Sequence, residues 1–185
     1  MSHLLTRIAR ATGVLIAATT LCSTATTVGP LAQPAAASTT VTLNRFDRHL
    51  LAYVNRARAA HGIRRLIVVA GPTDVAHGWS CHMAGIHDLL HNPNLQSALE
   101  SHGSANWTAY GENIGVLPRA GTARQLFRAY MHSPPHRANI LDPAYKYIGL
   151  WTRSGHVSRW NTLDFVGRTS SSYNYGYGPT RRRTC

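Results

Sequence analysis

The chain has 185 residues, enough for one domain with additional terminal segments. Hydrophobic residues make up 44% of it and charged residues 14%, a composition that fits a globular domain and excludes a wholly disordered chain. Lysine and arginine outnumber aspartate and glutamate by 19 to 7, and the resulting formal charge of +12 favours acidic surroundings such as nucleic acid, acidic wall polymers or anionic lipid headgroups.

The N-terminal segment has the pattern of a secretory signal peptide. Arg7 and Arg10 precede an apolar run over residues 11–22, and the alanines at 35–37 provide a small-residue cleavage site. The run is too short and too rich in threonine for a good membrane span, although an uncleaved N-terminal anchor is the alternative. We therefore predict a signal peptide over residues 1–37 and a secreted mature chain without a transmembrane helix.

The first half of the mature chain predicts two helices. A helical spacing of apolar residues begins at Asn44 and ends at Gly62, a residue type that commonly follows a helix C-terminus. The β-branched run over residues 65–69 is either a strand or a buried connector. A second helix is expected to begin at Thr73, which suits the N-cap, and to end before Pro93.

The second half predicts one more helix and then strands. Residues 92–120 read as a loop with short pieces of structure, and a third helix follows Thr122 and ends at Pro134. The last regular segments are two strands joined as a hairpin, over residues 147–152 and 159–168. Helices followed by strands indicate an α+β fold with an antiparallel sheet.

These patterns divide the chain into three parts. Residues 1–37 form the signal peptide, 38–168 the folded domain, and 169–185 a basic C-terminal tail rich in tyrosine, serine and glycine. Cys81 and Cys185 are the cysteines that remain after signal cleavage. An even pair in an exported chain favours a disulfide, and two unpaired thiols are the alternative.

The eleven histidines raise the question of a metal site. His77 and Cys81 are four residues apart on one helical face, as are His87 and His91, and two side chains at that spacing can bind zinc. Neither pair has a third ligand in the sequence pattern. The spacing alone therefore does not predict a site at either pair.

Several function classes lack support in the sequence. It contains no HExxH, GxSxG, CxxC or P-loop pattern, and Ser133 lies three residues from His136 without an acidic partner for a catalytic triad. The arginines are scattered rather than gathered in one stripe, and no helix-turn-helix spacing is present. Nucleic acid is therefore not an expected partner.

Four segments point together to one family. They are, in chain order, a helix with Asn-Arg at 55–56, the segment HNPNL at 91–95, the segment GENI at 111–114, and SPPHRANIL at 133–141 leading to YIGL at 147–150. This combination resembles the CAP superfamily of cysteine-rich secretory, antigen 5 and pathogenesis-related 1 proteins, and most of all its short bacterial secreted members. The resemblance covers residues 46–166.

The resemblance implies an α-β-α sandwich, with a small antiparallel sheet between helices, and a cleft lined by two histidines and acidic residues. His91 and His136 match the two cleft histidines and are the implied metal ligands. Glu112 matches one cleft glutamate, and all three residues are candidate catalytic groups. The family's second cleft glutamate has no counterpart, because the segment between Thr122 and Pro135 contains no acidic residue.

Three functions remain open on these grounds. The first is a secreted, monomeric, non-enzymatic CAP-domain protein whose cleft binds a divalent cation such as zinc, a lipid or a cell-envelope component. The second is a metal-assisted extracellular hydrolase of protease type, in which two imidazoles hold the metal and Glu112 is the base. The third is an adhesin that binds acidic wall polymers through its basic surface.

Overall fold

A computed structural model describes residues 41–102, 107–167 and 185. The predicted signal peptide and the predicted tail, apart from Cys185, lie outside the described residues. The described chain contains five helices: α1 (Arg45–Ala60), α2 (Ala70–Ile86), α3 (Leu95–Ser101), α4 (Ala123–His132) and α5 (Pro134–Leu141). It also contains four strands: β1 (Ile67–Val68), β2 (Ala109–Pro118), β3 (Tyr147–Ser154) and β4 (Ser158–Gly167).

The strands form one mixed sheet in the order β1-β3-β4-β2. The β3–β4 hairpin is antiparallel, as predicted, and the β2–β4 pair, which was not predicted, is antiparallel as well, whereas the two-residue strand β1 pairs parallel to β3. The fold is α+β, as expected from the sequence, but its sheet is not purely antiparallel. The connection from β1 to β3 carries α2, α3, β2, α4 and α5, and a crossover of this length allows the parallel pairing.

The helix boundaries follow local capping chemistry where the sequence signal is clear. The Asn44 side chain accepts a hydrogen bond from the Asp47 amide and begins α1, and Gly62 follows that helix with a φ of 69°. Thr122 begins α4 with a capping box to Gln125. Both helices therefore begin where the sequence predicts.

The second helix differs from its prediction at both ends. It begins at Ala70, and the hydroxyl of Thr73 donates to the carbonyl of Val69 instead of capping the helix. It ends at Ile86, because His87 takes a left-handed conformation with a φ of 57°.

The predicted loop over residues 92–120 is wrong in part, since it contains α3 and β2. Two glycines and a proline lower the strand propensity of β2, which concealed it in the sequence. Close packing favours glycine in this strand, as position 115 illustrates. A Cβ atom added to Gly115 would lie 2.8 Å from the hydroxyl of Tyr130 and 2.8 Å from a methyl of Leu126.

Helices cover the sheet on both faces, which gives the sandwich implied by the resemblance. On one face, α1, α4 and α5 bury a continuous hydrophobic core together with the side chains of Ile148, Leu150, Leu163 and Phe165. On the other face, α2 and α3 cover two smaller clusters, one around Val166 and one around Trp160. Gly149 lets α2 approach closely, because a Cβ there would lie 2.0 Å from the carbonyl carbon of Pro72.

A disulfide joins Cys81, on α2, to Cys185, with 5.5 Å between the two Cα atoms. Both cysteines left by the predicted cleavage thus belong to one bond. Across the described ranges, no helix combines the length and the apolar character needed to cross a membrane.

Candidate metal-binding cleft

Glu112 is placed by the edge strand β2, not by a loop as the sequence suggested. Its side chain is only 3% exposed. One carboxylate oxygen, Oε1, accepts a hydrogen bond from the backbone amide of Asn92 at 3.0 Å and lies 2.7 Å from Nδ1 of His91. Burial raises the pKa of Glu112, and the contacts with Asn92 and His91 oppose that rise.

His91 lies in the segment between α2 and α3, and its side chain is 61% exposed. The contact with Glu112 sets the role of the two ring nitrogens. When the carboxylate is ionised, Nδ1 of His91 carries the ring hydrogen, and this N–H donates a hydrogen bond to Oε1. The neutral ring then leaves the lone pair of Nε2 available to a ligand.

His136 comes from the first turn of α5 and is half-buried. Its ring meets the ring of Tyr130 edge-on, with centroids 5.2 Å apart. Burial lowers the pKa of His136, and the charge of His91 lowers it further. The two histidines therefore interact electrostatically and favour the neutral form of His136, the form that binds metal.

Two asparagines join the strand of Glu112 to the helix of His136. The side-chain amide of Asn113 donates to the carbonyl of His136 at 2.9 Å. The amide of Asn139, on α5, donates to Oδ1 of Asn113 at 2.9 Å and to the carbonyl of Glu112 at 3.1 Å. This network explains why the two motifs that contain these asparagines fold against each other.

Asp164 is an acidic neighbour of Glu112 that the sequence analysis missed. It lies directly opposite Glu112 in the β2–β4 register, on the same face of the sheet, and is fully buried. Burial raises its pKa well above the ordinary value, and the charge of Glu112 adds to that rise. The available signal was an aspartate inside the apolar run 163–166, in alternation with Thr162.

An open groove of about 550 Å³ begins at His91 and Glu112 and follows the segment into α3. Most of its lining side chains carry amides, hydroxyls or charges: Asn92, Asn94, Gln96, Ser97 and Glu100. Tyr110 also lines the groove, and its hydroxyl donates to Oε1 of Gln96 at 3.2 Å. His136 is not among the lining residues.

The geometry limits how the cleft could hold a metal. Among the described residues, the one group of three metal-binding side chains whose ligand atoms all lie within 4.8 Å of one another is His77, Cys81 and Cys185. His91, Glu112 and His136 do not form such a group. The donor set suits an ion bound by imidazole nitrogens and water, with Glu112 orienting His91 rather than binding the ion itself.

Comparison with known proteins agrees with this fold. Residues 51–155 match the family model described as the cysteine-rich secretory protein family, CAP. No curated protein sequence matches the chain.

Solved bacterial structures share the architecture at low sequence identity. An outer surface protein from Borrelia burgdorferi has a TM-score of 0.61 at 12% identity, over 70% of this chain and 97% of that one. An extracellular protein with an SCP domain from Bacillus anthracis has a TM-score of 0.55 at 19% identity, over 70% of this chain and 45% of that one. A cysteine-rich secretory protein from Staphylococcus aureus has a TM-score of 0.56 at 15% identity, over 69% and 40%.

Proposed function

Because the chain belongs to the cysteine-rich secretory protein (CAP) family and resembles a bacterial protein described as extracellular, we propose that it is an extracellular binding protein whose cleft binds a divalent cation. Nε2 of His91 and the imidazole of His136 are the protein ligands, and water completes the coordination. Two protein ligands give modest affinity, since structural zinc takes four and catalytic zinc three with a water.

The contact between Nδ1 of His91 and Oε1 of Glu112, at 2.7 Å, carries this proposal. In metal-binding histidines, the N–H of the second ring nitrogen commonly donates a hydrogen bond to a carboxylate, which fixes the tautomer and raises the basicity of the ligand nitrogen. In this chain the carboxylate is buried and also bonded to a backbone amide. It is therefore held in the position that this arrangement requires.

The same contacts favour binding over hydrolysis. A general base must reach a water at hydrogen-bond distance. Oε1 of Glu112 already meets His91 and the amide of Asn92, and Oε2, which has no hydrogen-bond partner among the described residues, is shielded from solvent because the side chain is 3% exposed. Glu112 therefore supports a positioning role better than the role of a base.

The groove beside His91 supports a polar ligand. Its amide and hydroxyl side chains match the hydroxyls and amides of a cell-envelope polymer better than they match an acyl chain. Binding of the protein to isolated cell walls and to anionic lipid vesicles would compare these ligands. If Gln96→Ala weakens retention of the protein on cell walls, the groove is the binding site. If retention responds only to salt concentration, the protein binds acidic wall polymers through its basic surface, as the adhesin hypothesis expects.

Calorimetric titration with zinc tests the cation proposal, with the disulfide intact. Wild type should bind one ion, and His91→Ala and His136→Ala should each lose the measurable heat. Glu112→Gln keeps an acceptor oxygen but loses the charge, so its affinity should fall about tenfold. His132→Ala is the matched control, because this exposed histidine bonds within α4. Equal heats in wild type and His136→Ala would refute the proposal.

A further inference from the structure

The disulfide lies beside a histidine that sequence spacing had already singled out. His77 and Cys81 are one turn apart on α2, and Nε2 of His77 lies 3.5 Å from Sγ of Cys81. Cys185 supplies the third ligand that the spacing alone did not predict. A ring nitrogen of His77 and both sulfurs lie within 4.8 Å of one another.

We propose that the protein with this disulfide reduced binds one zinc-like cation through Nε2 of His77 and the thiolates of Cys81 and Cys185, with water as the fourth ligand. A donor set of two thiolates and one imidazole with an open position is a known zinc arrangement, and it selects soft and borderline metals over magnesium or calcium. The site is separate from the cleft and does not depend on the function proposed above.

The distances fit a tetrahedral ion. With Zn–S of about 2.3 Å and Zn–N of about 2.0 Å, a sulfur and a nitrogen ligand are about 3.5 Å apart. The nitrogen of His77 and the sulfur of Cys81 already have this separation. The sulfur of Cys185 has only to move from bonding distance to about 3.8 Å from that of Cys81.

The surroundings favour the site in two further ways. The edge of the His77 ring meets Trp151, with centroids 4.9 Å apart, which restricts the orientation of the imidazole. His77 and Cys81 are half-buried and Cys185 is exposed, so a reductant and an ion can both reach the sulfurs. Both the reductant and the metal ion can therefore react with each sulfur.

Disulfide and metal are alternative states of the same three side chains. A dithiol reductant gives two electrons and two protons to the S–S bond and becomes a cyclic disulfide, leaving thiols on Cys81 and Cys185. The cation then displaces both thiol protons into solvent as the two Zn–S bonds form. In either state, residue 185 is held against α2.

Cobalt(II) titration of the reduced protein tests the site. The protein is reduced with a dithiol, desalted under argon and titrated. One equivalent should produce thiolate-to-cobalt charge-transfer absorption, which zinc then removes by displacement. The imidazole cleft contains no sulfur and cannot produce this band. Absence of the band from the reduced wild type would overturn the proposal.

Variants separate this site from simple thiol chemistry. His77→Ala should weaken cobalt binding at least about tenfold, and Cys185→Ser should remove the two-thiolate spectrum. His82→Ala, an exposed histidine on the same helix, should match wild type. An unchanged dissociation constant for His77→Ala would refute the role of the imidazole.

The rate of re-oxidation provides a second readout that covers any effect of reduction on folding. Zinc should slow re-formation of the disulfide at least about tenfold in wild type, because bound thiolates are withdrawn from exchange, and by much less in His77→Ala. If reduction alone unfolds the chain, zinc should restore the native circular dichroism. Failure to slow re-oxidation, or to restore an unfolded chain, would overturn the proposal.

Discussion

Each face of the sheet buries one aspartate, and the two aspartates differ in their hydrogen bonding. Asp47, on the α1 side, is fully buried and accepts hydrogen bonds from the amide and hydroxyl of Thr152 and from the side-chain amide of Asn44. Asp164, on the α2 side, is equally buried, yet neither of its carboxyl oxygens has a hydrogen-bond partner among the described residues. Buried polar groups are costly unless they are bonded. The buried carboxyl is therefore hydrogen-bonded on the first face and unsatisfied on the second, next to the cleft.

Arg58 provides the strongest test of the α1 side. This fully buried guanidinium donates to four backbone carbonyls, those of Arg64, Ile140, Asp142 and Tyr145, at 2.8 to 2.9 Å. Arg58→Ala removes four donors at once, so the free energy of unfolding should fall by about 4 kcal/mol or more.

Denaturant unfolding of three variants would measure this. Arg58→Lys should recover only part of the loss, since an ammonium group lacks the planar fork of donors. Arg45→Ala changes an exposed arginine on the same helix and should stay within about 0.5 kcal/mol of wild type. An Arg58→Ala protein as stable as Arg45→Ala would contradict the role of the buried network.

Two leucines compare the hydrophobic packing of the faces directly. Leu150 lies in the continuous core and Leu99 in the small cluster under α2 and α3, and both are fully buried. Truncation to alanine leaves a cavity that the larger core cannot easily close. We expect Leu150→Ala to destabilise by about 4 kcal/mol and Leu99→Ala by about 2.5 kcal/mol. The reverse order in denaturant unfolding would contradict the comparison.

Asp47 predicts how stability changes with pH. Burial raises its pKa from 3.8 to about 6, against the opposing effect of its hydrogen bonds. The native state then binds the proton more tightly than the unfolded chain. This group therefore stabilises the fold as pH falls from above 6 to below 3.8, by about 3 kcal/mol in total, and that contribution is lost as pH rises again through 6.

The free energy of unfolding, measured at pH 7.5 and at pH 4.5 for wild type and for Asp47→Asn, would isolate this contribution. Burial also raises the pKa of Glu112 and lowers that of His136, but those effects are common to wild type and Asp47→Asn. Between these two pH values, Asp47→Asn should lose about 2 kcal/mol of the pH dependence, since the full effect is reached only below pH 3.8. Asp88→Asn, at an exposed position, should keep it. The same slope in wild type and Asp47→Asn would assign the pH dependence to other groups.

The contrast between the faces also shows where sequence reasoning succeeded. Local signals predicted the caps of α1 and α4 correctly, because Asn44 and Thr122 act on backbone amides within three residues. The β3–β4 hairpin was also predicted correctly, because its two strands follow each other directly in the sequence. Strand β2 was missed because its identity depends on β4, about fifty residues later, and its glycines serve packing against Tyr130 and Tyr145.

The site was less predictable than the fold. Sequence motifs identified His91, Glu112 and His136 as candidate site residues. A motif does not predict, however, that Oε1 of Glu112 contacts Nδ1 of His91. The burial of Asp164 and the approach of Cys185 to His77 depend on tertiary contacts between distant segments. Spacing along one helix predicted only the His77–Cys81 half of that cluster.

The smallest expected effect tests the unsatisfied face, through Asp164. Burial raises its pKa well above the usual range, so folding above about pH 4 requires the carboxyl either to take up a proton or to bury a charge.

Valine has a similar size, no charge and a high strand propensity. Asp164→Val should therefore raise the free energy of unfolding by about 1 to 2 kcal/mol at pH 7, as happens when a buried charged group is replaced by an apolar one. The gain should shrink as pH falls towards 4 and level off only below it, where the carboxyl is protonated in both states. Asp164→Asn removes the charge but keeps the polar burial, so it should lie between wild type and Asp164→Val in denaturant unfolding at pH 7. A loss of stability in both variants would give Asp164 a structural role and would remove the proposed difference between the two faces.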